Sequence, residues 1–165
     1  MTELAALVEG AGRRGLAVDD VVATRAHVGL RTNSRWFAVA ADDVVEVIAL
    51  PTVTRVPAAP AHVLGVALVR SRLVSLVDLE QLLAGQPTPR SERGRIAVVR
   101  ADGLELGLVA MATRGLLALP DDGATEVAPA ERPPWIAREV GHDGLRLAVL
   151  DVAALAALVA RGARP

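Results

Sequence analysis

Read along its apolar and polar positions, the chain changes character near His27. From there on, short runs rich in Val, Leu, Ile and Ala recur every few residues, broken by Gly, Pro, Asp and Ser. Such runs are too short for helices and are rich in residues that fit a pleated surface. They predict strands at 27–31, 35–40, 44–49, 54–56, 65–70 and 73–77, then at 95–100, 104–110, 113–119, 135–140 and 145–150. Two helices are predicted as well. Asp78 caps Leu79–Ala84, which Gly85 ends, and Asp151 caps Val152–Ala160, which Gly162 ends. Val152, Leu155, Leu158 and Val159 form a stripe on the second helix that packs on its own sheet. Upstream, Thr2–Val8 reads as a short helix closed by Gly10, and residues 10–26 as a tethered extension. Residues 85–94 form a polar linker, 120–134 a loop rich in Pro and acid, and 161–165 a tail.

The apolar pattern repeats. The run from Phe37 to Pro51 aligns with the run from Leu106 to Pro120, at an offset of 69 residues. Leu73–Leu82, with Asp78 at its centre, aligns with the run around Asp151 at an offset of 73. Two blocks in the same order at nearly the same spacing imply an internal duplication, in halves of about 27–84 and 95–160. Each half reads strand, strand, Ala-Leu-Pro turn, strands, Asp-capped helix. The expected fold is mainly β, two similar small barrels meeting along a cleft, since closure removes the exposed edges of so many strands.

Composition narrows function more than fold. In 165 residues, 18 basic and 19 acidic side chains leave a net charge of −1, without the basic surplus of a nucleic-acid binder. Every basic residue is arginine, a side chain suited to interfaces. There is no cysteine, so disulfides, thiolate metal sites and thiol nucleophiles are excluded. Trp36, Phe37 and Trp135 are the only aromatics, which leaves an aliphatic core and no stacking platform for bases. No apolar run reaches the roughly 18 residues of a membrane span, and Met1–Gly10 lacks the basic start of a signal peptide.

The search for catalysis finds little. His27, His62 and His142 lie far apart and read as exposed loop or turn residues. Asp19-Asp20, Asp42-Asp43 and Asp121-Asp122 fall at turns, where a carboxylate bonds nearby backbone N–H groups. Gly103 and Gly107 are isolated strand or hairpin glycines; no phosphate-binding loop or nucleophile elbow is present. Ser34, Ser71, Ser75 and Ser91 have no histidine in sequence context. No catalytic residue, cofactor site or metal site is expected.

Residues Arg35–Leu83 carry a series of short motifs in order. These are Trp36-Phe37-Ala38-Val39, Val44-Val45-Glu46-Val47-Ile48, Thr54-Arg55-Val56-Pro57, Pro60 through Gly65-Val66, Leu68-Val69-Arg70-Ser71, and Val74 to Asp78-Leu79. In this order and spacing they resemble the first half of CheW-like domains, the coupling proteins of bacterial chemotaxis and the regulatory domain of their partner kinase. The second half is similar through Gly107-Leu108-Val109 and Leu150-Asp151-Val152. The resemblance spans about residues 27–160. It implies two intertwined five-stranded SH3-like barrels with short helices and a C-terminal helix, and no catalysis. It further implies a cytoplasmic adaptor recruited to chemoreceptor arrays, without membrane insertion. Its implied partners are a CheA-type histidine kinase, the cytoplasmic tip of a methyl-accepting receptor, and other CheW-like proteins.

The same resemblance points to partner-binding residues: Val44, Glu46 and Val47, with Leu64, Val66, Leu68 and Arg70. Each has a plainer alternative. Glu46 is either an outward strand residue or a receptor contact. Arg70 either braces the strand-end turn or anchors a partner. Leu64, Val66 and Leu68 are either core or groove. Three departures stand out: the family's Asn is Leu68, its turn Gly is Ser71, and an Asp in the second half is Met111. A left-handed turn costs a non-glycine residue roughly 1 kcal/mol, so a reshaped corner at Ser71 and an altered partner set are expected. The rival readings are a ligand-binding double-barrel sensor without kinase coupling, and an enzyme with polar groups converging in a pocket.

Overall fold

A computed structural model describes residues 22–122 and 132–162. The expected helix Thr2–Val8, most of the extension and part of the 120–134 loop lie outside them. The described residues form ten strands: β1 Thr24–Arg31, β2 Trp36–Ala40, β3 Val44–Ala49, β4 Val63–Val69, β5 Arg72–Asp78, β6 Arg95–Ala101, β7 Leu104–Ala110, β8 Ala112–Pro120, β9 Ile136–His142 and β10 Leu145–Leu150. Helix α1, Leu79–Ala84, follows β5, and helix α2, Val152–Gly162, follows β10.

The strands build two five-stranded sheets, ordered β8-β1-β2-β10-β9 and β3-β6-β7-β5-β4. Each sheet takes strands from both sequence halves. Exchanging β1 with β6, β2 with β7, β3 with β8, β4 with β9 and β5 with β10 turns one order into the other. The register obeys the same exchange. Phe37 of β2 lies beside Ala148 of β10 in a parallel pair, and Leu106 of β7 lies beside Ser75 of β5. These pairs are related by the offsets of 69 and 73 read from the sequence.

Strict alternation on the central strands creates three cores. Val74, Leu76, Ile96 and Val98 point into the first barrel; Ala38, Leu147 and Val149 point into the second. Their neighbours Phe37, Val39, Val77, Ala97, Val99 and Ala148 face the other way and join one cluster between the two sheets. Side chains one residue apart thus serve different cores, as a period of two requires. Phe37 and Trp135 meet in the shared cluster, with ring centroids 6.1 Å apart. The stripe of α2 seals this cluster through Val152, Leu155 and Val159, instead of packing on one barrel alone.

Both helix caps form as expected. Asp78 accepts the amides of Glu80 and Gln81, and Gly85 closes α1 in the left-handed region. Asp151 accepts the Ala154 amide at 2.9 Å. Two boundaries differ from the sequence reading. β1 starts at Thr24, inside the stretch read as extension, because its ladder to β8 runs on to Thr24–Pro120 through exposed residues that alternation does not mark. The strand expected at 54–56 is reduced to one bridge, Thr54 to Val66, because the chain turns away next, with the Ala59 amide donating to the Val56 carbonyl and Ala58 at φ 60°.

Candidate functional site

The first barrel presents the face on which the motif residues fall. β3 and β4 are the two edges of its sheet. Side chains span the gap between them: Arg70 Nε donates to Glu46 Oε2 at 2.8 Å, and Arg72 reaches Glu46 Oε1 at 3.2 Å. Arg72 also pairs with Glu105 at 2.5 Å, and Arg100 pairs with Glu105 at 2.5 Å. Three arginines and two glutamates therefore form one chain of ion pairs. The glutamates are mostly covered, while the Arg70 side chain is 75% exposed.

Glu46 corrects the picture of an outward strand residue. It is more covered than its neighbours Val45 and Val47, which point outward, and it follows a register shift after Val44. Arg70 is at once a brace and a surface group, since its pair with Glu46 leaves it largely in solvent. On β4 the expected residues separate. Leu64 packs against the interior of the first barrel, Val66 lines a surface groove, and Leu68 stands in solvent.

The β4–β5 hairpin turns through Arg70 (φ 47°) and Ser71 (φ 65°), both left-handed. It has the positive φ values of a type I′ turn without glycine, whereas the matching hairpins at 102–103 and 143–144 use Asp-Gly. Leu68 pairs directly with Leu73, and the two are 68% and 70% exposed. This apolar pair continues through Val66 into a groove of about 420 Å³. The groove lies between the 56–60 turn, β4, β5 and the end of α2, with Val56, Pro57, Pro60, Val63 and Val159 in its walls.

Sequence reading missed Leu73, Arg72, Glu105 and Arg100. Leu73 had a signal: it falls on the same strand phase as Ser75, opposite to the buried Val74 and Leu76. His27 also departs from expectation. It is 2% exposed on β1, and burial above all lowers its pKa. His62, read as an exposed loop residue, is part-buried with an unpartnered Nε2, and burial lowers its pKa too. His142 lies in β9, with Nε2 3.4 Å from Asp143. Two further acids are buried. Glu139 lies between Arg35 and Arg146. Glu80 accepts the Thr32 hydroxyl at 2.5 Å and the Ser34 amide at 3.2 Å. Burial works to raise both carboxyls, but their hydrogen bonds and the nearby arginines outweigh it and hold them below the ordinary range.

Comparison with known proteins agrees with this architecture. The model of the CheW-like domain family matches residues 26–160. Protein PilI of Pseudomonas aeruginosa is 30% identical over 113 residues, covering 68% of this chain and 64% of its own length. The chain thus aligns with somewhat under two thirds of that relative. The crystal structure of the scaffolding protein TtCheW from Thermoanaerobacter tengcongensis superposes with a TM-score of 0.68 at 18% identity. It covers 79% of this chain and 86% of the other, and shows a shared fold.

Proposed function

The chain belongs to the CheW-like domain family, and from that premise we propose that it is a non-enzymatic coupling adaptor. In this reading it links the cytoplasmic tip of a chemoreceptor to the regulatory domain of a CheA-type histidine kinase, within a receptor array, as a divergent member serving a motility pathway. One observation carries the reading: the apolar strip Leu68–Leu73 runs into an open groove and ends against the Arg70–Glu46–Arg72 chain of ion pairs. An apolar centre with a charged, arginine-bearing rim is the composition of a protein–protein interface. Leu and Val there supply area, and arginine at such a rim often dominates binding energy. Val47, exposed on the outer face of β3, adds apolar contact area, while Val44 and Leu64 act more indirectly, by shaping the barrel that carries this strip.

The test is a pull-down with a CheA-type regulatory domain and with a receptor tip. Leu68→Glu with Leu73→Glu is expected to weaken capture by roughly tenfold or more, without loss of fold. Failure of the unmodified protein to hold either partner counts against the adaptor reading. The apolar groove also favours one alternative, a small-molecule sensor, since its volume falls in the range of ligand sites. A stoichiometric apolar ligand in native mass spectra would favour that alternative.

A further inference from the structure

The two halves match closely in topology, and their polar plugs differ at one place. In the first half the helix-capping aspartate is sealed. Asp78, 1% exposed, accepts both the amide and the hydroxyl of Thr88, each at 2.7 Å, as the linker crosses it. Beside it Glu80 is plugged by Thr32 and Ser34. The offsets of 69 and 73 carry Asp78 to Asp151, Thr32 to Ala101 and Glu80 to Ala153. Two alanines thus stand where the first half has its hydrogen-bonded plug. Among the described residues, no segment crosses Asp151 as the linker crosses Asp78. What remains is a polar cleft of about 500 Å³, which shares no wall residue with the apolar groove.

Polar groups in its walls lack partners among the described residues. His27 Nδ1 lies 2.9 Å from the Arg25 carbonyl. A carbonyl only accepts, so Nδ1 carries the proton, and the unpartnered Nε2 offers a lone pair. Arg138 Nη1 is buried and bonded to nothing. Asp151 is exposed; it uses one carboxylate oxygen on Ala154 and leaves the other to solvent. The walls hold Arg25, Arg100 and Arg138 against Asp43, Asp102, Asp121 and Asp151. That near balance disfavours a highly charged ion. It suits a ligand that brings donors and acceptors together, which is the chemistry of a peptide main chain with a hydroxyl side chain.

We propose that this cleft is a docking site for an extended polypeptide segment of a partner, held on Asp151 as Thr88 is held on Asp78. A Ser or Thr of that segment donates its amide and hydroxyl to Asp151, and a neighbouring carbonyl accepts from Arg138. The site shares only Arg100 with the ion-pair chain of the coupling surface, and none of the changes tested below touches that chain, so it can fail while the adaptor reading stands.

The linker's own sequence, GQPTPRSERG, is the probe. Titrated into isotope-labelled full chain, it is expected to shift the Ala153 and Ala154 amides and the His27 imidazole. The midpoint should be about millimolar, since the native segment is held by a tether. Changing its Thr to Val should weaken binding roughly fivefold or more, the factor one hydrogen bond supplies. Asp151→Asn, which keeps a good helix cap, should weaken it similarly. Ala101→Thr with Ala153→Glu rebuilds the plug and should abolish the shifts. Absence of shifts, shifts confined to the Asp78–Thr88 region, or equal binding by the Val peptide and the rebuilt variant would overturn the proposal.

Discussion

Replacing Gly65 with alanine tests how the wall of the apolar groove is held. An ideal Cβ at Gly65 falls 2.2 Å from the Thr54 carbonyl oxygen and 2.8 Å from its carbon. Both are backbone atoms, so no rotamer change relieves the clash. Gly65 also sits at φ +144°, a conformation that side chains rarely adopt. Its missing side chain lets Thr54 approach and exchange two hydrogen bonds with Val66, each at 2.8 Å. Alanine must push Thr54 away. Losing two such bonds costs about 0.5–1.5 kcal/mol each, and holding the strained φ costs on the order of 1–3 kcal/mol. The sum is about 4 kcal/mol. At roughly 2–4 °C per kcal/mol for a chain of this size, the melting midpoint should fall by about 10 °C. Circular dichroism measures the fall, and hydrogen exchange should show faster Thr54 and Val66 amides. Gly141→Ala is the control, because a Cβ there meets nothing within 4 Å; it should stay within about 0.5 kcal/mol of the parent. If both variants melt together with the parent, the close approach at Gly65 is not what holds this wall.

Three further outcomes are expected. Ser71→Gly relieves a left-handed non-glycine turn and should raise stability by about 0.5–1 kcal/mol; combined with Leu68→Asn it should also shift the set of captured partners, and an unchanged set means the departures are drift. The folded-state pKa of Glu139 is depressed, so its stabilisation is present above the unfolded value near about 4.3 and is lost as pH falls through the lower folded value. Glu139→Gln should therefore flatten the decline of the melting midpoint below about pH 4, and an equally steep decline in the variant would refute this. Arg70→Ala should leave the midpoint unchanged and weaken partner capture, whereas Glu46→Ala, which removes the mostly covered carboxylate between Arg70 and the half-covered Arg72, should lower the midpoint measurably. A large drop in the midpoint for Arg70→Ala with capture intact would make Arg70 a brace only.

The strands were legible because a period of two survives wherever one face is buried. It fails at the ends. Thr24–Ala26 extend β1 by backbone pairing alone, with exposed side chains that follow no pattern. Thr54 holds a one-residue bridge where a short strand reads in the sequence, and Gly65 is needed because that isolated bridge segment lies against it. The candidate site was half legible for a related reason. The motif marks Glu46 and Arg70, one from each side of the barrel gap, but Arg100 arrives from β6 and Glu105 from β7. Which charges meet there depends on the order β3-β6-β7-β5-β4, and local sequence does not contain that order.

The repeat constrains single positions as well as architecture. Read only as evidence of two barrels, it leaves His27 an isolated polar residue. Read position by position, the offset of 69 places His27 on Ile96, which is fully buried inside the first barrel. The duplication therefore implies that His27 occupies an interior position, and its 2% exposure follows. Polar residues at positions whose twins are apolar, and alanines at positions whose twins are Thr32 and Glu80, mark where the halves diverged. Most buried side-chain nitrogens have hydrogen-bond partners. One nitrogen of His27 is satisfied by Arg25, and the other lines a cleft. In a duplicated fold each half is a control for the other, and the mismatches between them separate packing from binding more sharply than burial alone.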